Sequence, residues 1–194
     1  MLLRLATGIP LGIIAIWLMA FPSGWVQFAG VALVAVFALR ELHRLLGLQT
    51  NGFPNGSCAP WGYVFLLLIM LLVHLEAWGT MTLWMAGFFI ALALHQLRRY
   101  PLEDAYLREP GLVFLASTYL GIGLGCLFQL RVLGEQWMAS GLMPAGNLNL
   151  VALIPMLATW GYDSSALFAG AATGTLPMAP QISPKKSWEG VTGG

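Results

Sequence analysis

Charge is what this chain has least of. Of its 194 residues, 9 are Lys or Arg and 8 are Asp or Glu, so charged residues make up 9%, where soluble domains carry about 25%. That scarcity excludes an ordinary water-soluble domain. The net charge of +1 also excludes the dense basic face that bulk nucleic-acid binding needs, so no nucleic-acid partner is expected. Cysteine is nearly absent. Cys58 falls in an expected loop and Cys126 inside an apolar run, which fits neither a metal spacing nor a disulfide framework. There is no internal repeat, low-complexity tract or separate polar domain, and no strand-like alternation of a membrane barrel. What remains is apolar: 58% of the chain is hydrophobic, the composition of an integral membrane protein.

A window of about 20 residues crosses roughly 30 Å of hydrocarbon as a helix. Six stretches meet that length: 3–20, 25–46, 61–77, 81–97, 112–130 and 148–170. Helices are expected because open strands in lipid would leave backbone groups unpaired. The fold class is therefore an all-α polytopic integral membrane protein of about six transmembrane helices. It reads as one membrane domain over 1–194, with a cytoplasmic motif segment and the start of a further helix in 171–194. Turn residues punctuate the spans at Phe21-Pro22-Ser23-Gly24, Asn51 to Gly56, Gly79-Thr80, Pro101 to Gly111 and Gly141 to Asn147. Spans three and four lie so close that they form a hairpin. The first stretch is read as a span rather than a cleaved leader, since no small-x-small site follows it.

With six spans, Arg4, Arg40, Arg44, Arg98, Arg99, Arg108, Lys185 and Lys186 share one side and only Arg131 takes the other. By the positive-inside rule that shared side is cytoplasmic, so the amino terminus and the dibasic segment both face the cytosol. Trp17, Trp25, Trp61, Trp78 and Trp137 sit near span ends, as an interfacial aromatic belt does.

Polar residues inside spans carry the functional weight, because a charge in hydrocarbon is costly unless paired or hydrated. Asp163 is the only acid well inside an expected span, toward the cytoplasmic end of span six, and should face a hydrated cavity; an interfacial Asp reaching water is the plain alternative. Pro155 should bend that helix and free a carbonyl. His43, His74, Glu76 and His95 lie near span ends without a ligand spacing and are read as structural residues reaching the interface. Gly121 and Gly125 have the small-xxx-small spacing that lets helices approach closely.

The last twelve residues have their own chemistry. Ser183 can cap a helix that begins at Pro184, and free first-turn amides beside Lys185 and Lys186, with the Ser187 hydroxyl, would make a phosphate site. Glu189 would orient a lysine. A plain positive-inside anchor is the competing reading of the two lysines.

From Trp160 onward the chain resembles bacterial phosphatidate cytidylyltransferases, the CDP-diacylglycerol synthases. The resemblance rests on Trp160, Asp163, Ser164, Phe168, Gly170, Gly174, Ala179, Pro180, the run Ser183 to Gly190, and Gly193-Gly194. It implies transfer of a cytidylyl group from CTP to phosphatidate in a bacterial inner membrane, with Mg2+ as cofactor. Carried onto this chain, Asp163 and Lys186 are the catalytic candidates, Ser183, Lys185, Lys186 and Ser187 the substrate contacts, and Asp163 the metal ligand. CTP, phosphatidate and membrane lipids are the implied partners, with homodimerisation left open. Two departures stand out. The segment Gly170 to Met178 lacks the basic residues usual in the family, and the family's later acidic signature does not occur within the chain, so these residues alone are expected to be an inactive fragment. The alternative from another class is a small transporter or scaffold that uses Asp163 as an ion relay.

Overall fold

The computed structural model describes residues 2–20, 23–50, 53–54, 58–99, 107–144, 149–181 and 183–194, with backbone alone at 2–9, 49–50, 53–54, 99 and 184–185. The expected turns at Phe21-Pro22, Asn51-Gly52, Asn55-Gly56, 101–106 and 145–147, and the side chains of Arg4, Arg99, Pro184 and Lys185, lie outside what is described. Contacts divide the chain into two compact units, Met1–Asn149 and Leu150–Gly194.

The first unit is all helical apart from one short ladder. It contains α1 (Leu2–Ala20), α2 (Gly24–Leu45), α3 (Ala59–His74), α4 (Trp78–Arg99) and α5 (Arg108–Ala139), and the strands β1 (Gln49–Thr50) and β2 (Phe53–Pro54) pair antiparallel after α2. Helix α2 stops where Gly47 turns to φ 73, so that Gly47 N–H donates to Arg44 O at 3.1 Å and Leu48 N–H to His43 O at 2.8 Å. Those bonds satisfy carbonyls the helix leaves orphaned, and glycine bears the left-handed conformation without a Cβ penalty. Pro60 stands in the first turn of α3, where its missing N–H removes no helical bond.

The tight connection expected between spans three and four is present, but at Leu75–Ala77 rather than at Gly79-Thr80, which belong to α4. Its left-handed residue is Glu76 at φ 55. Ala77 N–H closes the turn on Leu72 O at 2.8 Å.

Helices α3 and α5 run parallel and make the central contact of the unit. Ser117 Oγ donates to Gly62 O at 3.0 Å near one end, and Gln129 Nε2 donates to Val73 O at 2.8 Å near the other. Between them Gly121 faces Ile69 and Gly125 faces Val73; a Cβ on Gly121 would lie 2.9 Å from Ile69 Cγ2. The close packing expected of these two glycines is therefore seen. Phe65 stacks on Phe88 of α4 at 3.9 Å and on Phe114 of α5 at 5.6 Å. In lipid such interfaces are held by van der Waals contact and interhelical hydrogen bonds, since lipid tails are as apolar as the side chains they replace.

Two expectations are corrected here. His43 does not reach the interface: it is fully buried, packed edge-on to Tyr63, with its ring against Gly62. The absence of a side chain at Gly62 makes that room. His74, half-buried at the end of α3, packs among Trp25, Phe28 and Phe128, and Glu76 is exposed at its turn. Helix α5 has 32 residues and continues past the expected end at 130, where Arg131 pairs with Glu135 at 2.9 Å in the helix-supporting i,i+4 spacing.

Among the described residues, Gly24–Leu45, Trp78–Arg98 and Arg108–Ala139 are long and apolar enough to cross a membrane, with Pro10–Ala20 and Ala59–His74 as shorter apolar helices. Leu33, Phe37, Leu83, Ile90 and Leu115 are exposed on the first three, as lipid-facing positions are. The protein is an all-α membrane protein.

Candidate functional site

The second unit holds the catalytic, substrate and metal candidates singled out from the sequence. A short 3₁₀ turn at Val151–Leu153 leads into α6 (Ile154–Thr173), followed by the strands β3 (Pro177–Ala179) and β4 (Ser183–Ser187) and by α7 (Trp188–Gly193). Pro155 does not bend α6. It stands in the first turn, where no amide is needed, and its carbonyl accepts the Thr159 hydroxyl at 2.8 Å.

Asp163 lies near the middle of α6 rather than toward its end, because the helix begins at Ile154 and runs on to Thr173. Positions 163, 166, 167, 170 and 171 follow the i, i+3, i+4 rule of one helical face. That face lines a cavity of about 470 Å³ with Tyr162, Lys186, Ser187, Gly190 and Val191, a volume within the range of small-molecule sites. Asp163, Lys186 and Ser187 thus share one cavity. Among the described residues no hydrogen bond or ion pair engages the Asp163 carboxylate or the Lys186 ammonium, and both side chains are exposed. Ser183 opens β4 opposite Ala179 and does not line the cavity. The backbone of Lys185 belongs to the same strand.

The expected helix beginning at Pro184 is replaced by strand. β4 pairs antiparallel with β3 in the register Pro177 to Ser187 and Ala179 to Ser183. The cap is Ser187, whose Oγ accepts from Gly190 N–H at 3.3 Å as α7 begins. A Ser-Pro pair and a hairpin partner compete for the same residues, and the partner strand offers backbone bonds that a cap cannot. The phosphate site at a helix start on Ser183 is therefore not formed.

Three glycines let α7 lie against α6. A Cβ on Gly190 would stand 3.0 Å from Ala166 O and 3.3 Å from Gly170 Cα, one on Gly193 would overlap Ala169, and one on Gly194 would come within 2.7 Å of Tyr162. Larger residues there would lift Ser187 and Lys186 away from Asp163.

Among the described residues Glu189 engages no lysine. Its Oε1 accepts the Thr175 hydroxyl at 2.6 Å and, with Oε2, the Leu176 N–H at 3.2 and 3.3 Å. The Thr175 hydrogen bond above all holds its carboxyl down from an ordinary 4.5 to about 2. Asp163 is left as the one carboxylate on the cavity, and no group of three His, Cys, Asp or Glu side chains gathers among the described residues. Tyr162, Thr175 and Leu176 were not singled out from the sequence. Tyr162 adjoins Asp163, and the roles of the other two arise only from the hairpin.

Comparison with known proteins places the chain. The family model described as Cytidylyltransferase family matches residues 2–194. A phosphatidate cytidylyltransferase of Pseudomonas aeruginosa is 32% identical over 133 residues, covering 66% of this chain and 43% of that protein. One of Haemophilus influenzae is 30% identical over 173 residues, covering 88% of this chain and 54% of that protein. The chain spans about half the length of the curated relatives it matches. No solved structure matches it significantly.

Proposed function

The chain belongs to the cytidylyltransferase family, and from that premise we propose that it takes part in transferring a cytidylyl group from CTP to phosphatidate. An oxygen of the phosphatidate monoester attacks the α-phosphorus of CTP, the bond to the β-phosphate breaks, and CDP-diacylglycerol and pyrophosphate leave. The observation that carries this reading is the meeting of Asp163, Lys186 and Ser187 on one cavity of the second unit.

Each residue has a chemical part in that reaction. Lys186 neutralises the charge that grows on the departing pyrophosphate, and such preorganised charge is the main lever on phosphoryl transfer; Lys185 is kept as a second candidate cation on the same strand. Ser187 spends only an acceptor lone pair on its cap, so its hydroxyl proton is free to donate to a phosphate oxygen. Ser183 opens the same strand as a second hydroxyl. Asp163 would hold Mg2+ that arrives with the triphosphate, since magnesium keeps much of its water and takes one or two carboxylates plus substrate phosphates. Bound there, the ion would supply Lewis-acid neutralisation of the triphosphate.

One substrate is a lipid and the other is soluble, so the cavity must open at a membrane face that nucleotides reach. We place that face on the cytoplasmic side of a bacterial inner membrane, from the clustering of basic residues.

CDP-diacylglycerol formation by the intact protein tests the reading. Lys186→Ala should lower kcat/KM for CTP by about 100-fold, the usual effect of removing one transition-state donor. Near-normal turnover in a Lys185→Ala, Lys186→Ala double variant would overturn it. CTP with magnesium should also raise the Tm of the detergent-solubilised protein, and Asp163→Asn should abolish that rise.

A further inference from the structure

The hairpin that carries Lys186 is short. β3 and β4 pair at Pro177 to Ser187 and at Ala179 to Ser183, with an irregularity between those positions, and a two-stranded hairpin is marginal by itself. What fixes it is at its open end. Leu176, the residue before β3, uses both of its backbone groups on the start of α7: its N–H donates to the Glu189 carboxylate at 3.2 and 3.3 Å, and its carbonyl accepts Trp188 N–H at 3.0 Å. Thr175 adds a hydroxyl to the same carboxylate at 2.6 Å. On the adjoining residue, Gly174 lies so close to Ser187 that a Cβ there would stand 2.7 Å from its Oγ.

Glu189 itself does not line the cavity. Its charge is directed at hydroxyl and backbone donors, in charge-assisted bonds roughly twice as strong as neutral ones, and it places no second negative charge against a nucleotide. We propose that Glu189 is a positioning residue whose carboxylate locks the base of the β3–β4 hairpin and so holds Lys186 on the same cavity as Asp163. This rests on reading that cavity as the nucleotide site.

The test combines kinetics with amide hydrogen exchange on the intact protein. Glu189→Ala should raise KM for CTP and lower kcat/KM by about 10- to 100-fold, the scale of effect when a charged group is displaced by about an ångström. Glu189→Gln keeps an acceptor oxygen and should recover to within about threefold of wild type, consistent with a lost charge assistance. Thr175→Val removes one donor and should give an intermediate loss without threatening the fold. If Glu189 acts through Lys186, the Glu189→Ala, Lys186→Ala pair should lose no more than Lys186→Ala alone, a non-additivity that a general folding defect does not produce. In parallel, amides 176–187 should exchange faster in Glu189→Ala. Unchanged protection there overturns the lock, and faster exchange with an unaltered KM for CTP, or additive losses in the pair, overturns the positioning role. If the wild type makes no CDP-diacylglycerol, the nucleotide reading falls alone and the exchange data still decide the lock.

Discussion

At Glu189 the donors that surround the carboxylate favour its ionised form, the Thr175 hydroxyl most of all, and the group titrates at about 2 instead of 4.5. A carboxyl whose folded value is depressed stabilises the fold fully above its unfolded value and loses that contribution as pH falls through the folded one. The hairpin lock should therefore be complete above about pH 4.5 and fail as pH approaches about 2. With Glu-labelled protein, the Glu189 carboxyl signal should titrate near 2, and in Thr175→Val its midpoint should move up toward 4.5. A wild-type midpoint already at the ordinary value would refute the hydrogen-bond account. Gly174 belongs to the same local geometry: its Cβ would overlap Gly170 O and crowd Ser187. Gly174→Ala should cost about 1–3 kcal/mol, as overpacking does, and should lower CTP turnover because Ser187 and Lys186 shift together. Asp163 and Lys186 were legible from the sequence because polar groups stand out against a lipid-like background. The partners of Glu189 and the cap at Ser187 were not, because Ser-Pro carries the same local signal at a helix start as at the start of a hairpin strand, and only the pairing with Pro177–Ala179 decides between them.

At the scale of elements, the α3–α5 contact offers a matched comparison. Gly121 meets Ile69, whereas Gly123, two residues along the same helix, has nothing within 4 Å of a built Cβ. Gly121→Leu should destabilise the protein by about 1–3 kcal/mol, and Gly123→Leu should stay within about 0.5 kcal/mol, as read by unfolding in mixed detergent micelles. Equal effects at the two positions would mean that the helices do not pack through this face. The small-xxx-small spacing made the contact legible in advance, since the packing need is written in residue size. Helix ends were less legible. α5 at 32 residues is about 48 Å long at 1.5 Å per residue, well beyond the roughly 30 Å of hydrocarbon, and hydropathy alone marks only its apolar stretch at 112–130. The continuation through Arg131 is held by the pair with Glu135 and by Asn149 Nδ2 donating to Arg131 O at 2.7 Å, bonds that a hydropathy window does not register. α6 shows the opposite case: it has the length of a span, but Thr159, Asp163, Ser164 and Ser165 dilute its apolarity.

For the molecule as a whole, the question is which side each end faces. Within the first unit α3 is antiparallel to α2 and α4 and parallel to α5: His43 lies beside Gly62, Cys58 Sγ reaches Leu92 O and Gln96, and Gly125 faces Val73. Arg40, Arg44, Arg98 and Arg108 therefore gather at one end, and Arg131 stands at the other. A bias of this kind orients membrane proteins with the basic end in the cytoplasm. The second unit must present Lys186 to the same compartment if CTP is its ligand. In a background with Cys58 and Cys126 replaced, a cysteine at position 44 and another at position 186 should react with a membrane-impermeant maleimide only when the cytoplasmic face is opened. A cysteine at position 142, exposed just past the far end of α5, should react from outside. Reaction of position 44 from outside would reverse the whole unit. Reaction of position 186 alone from outside would separate the lysine from any cytosolic nucleotide, so that the cavity would have to serve a different anion and the transferase reading would fail while the fold stood.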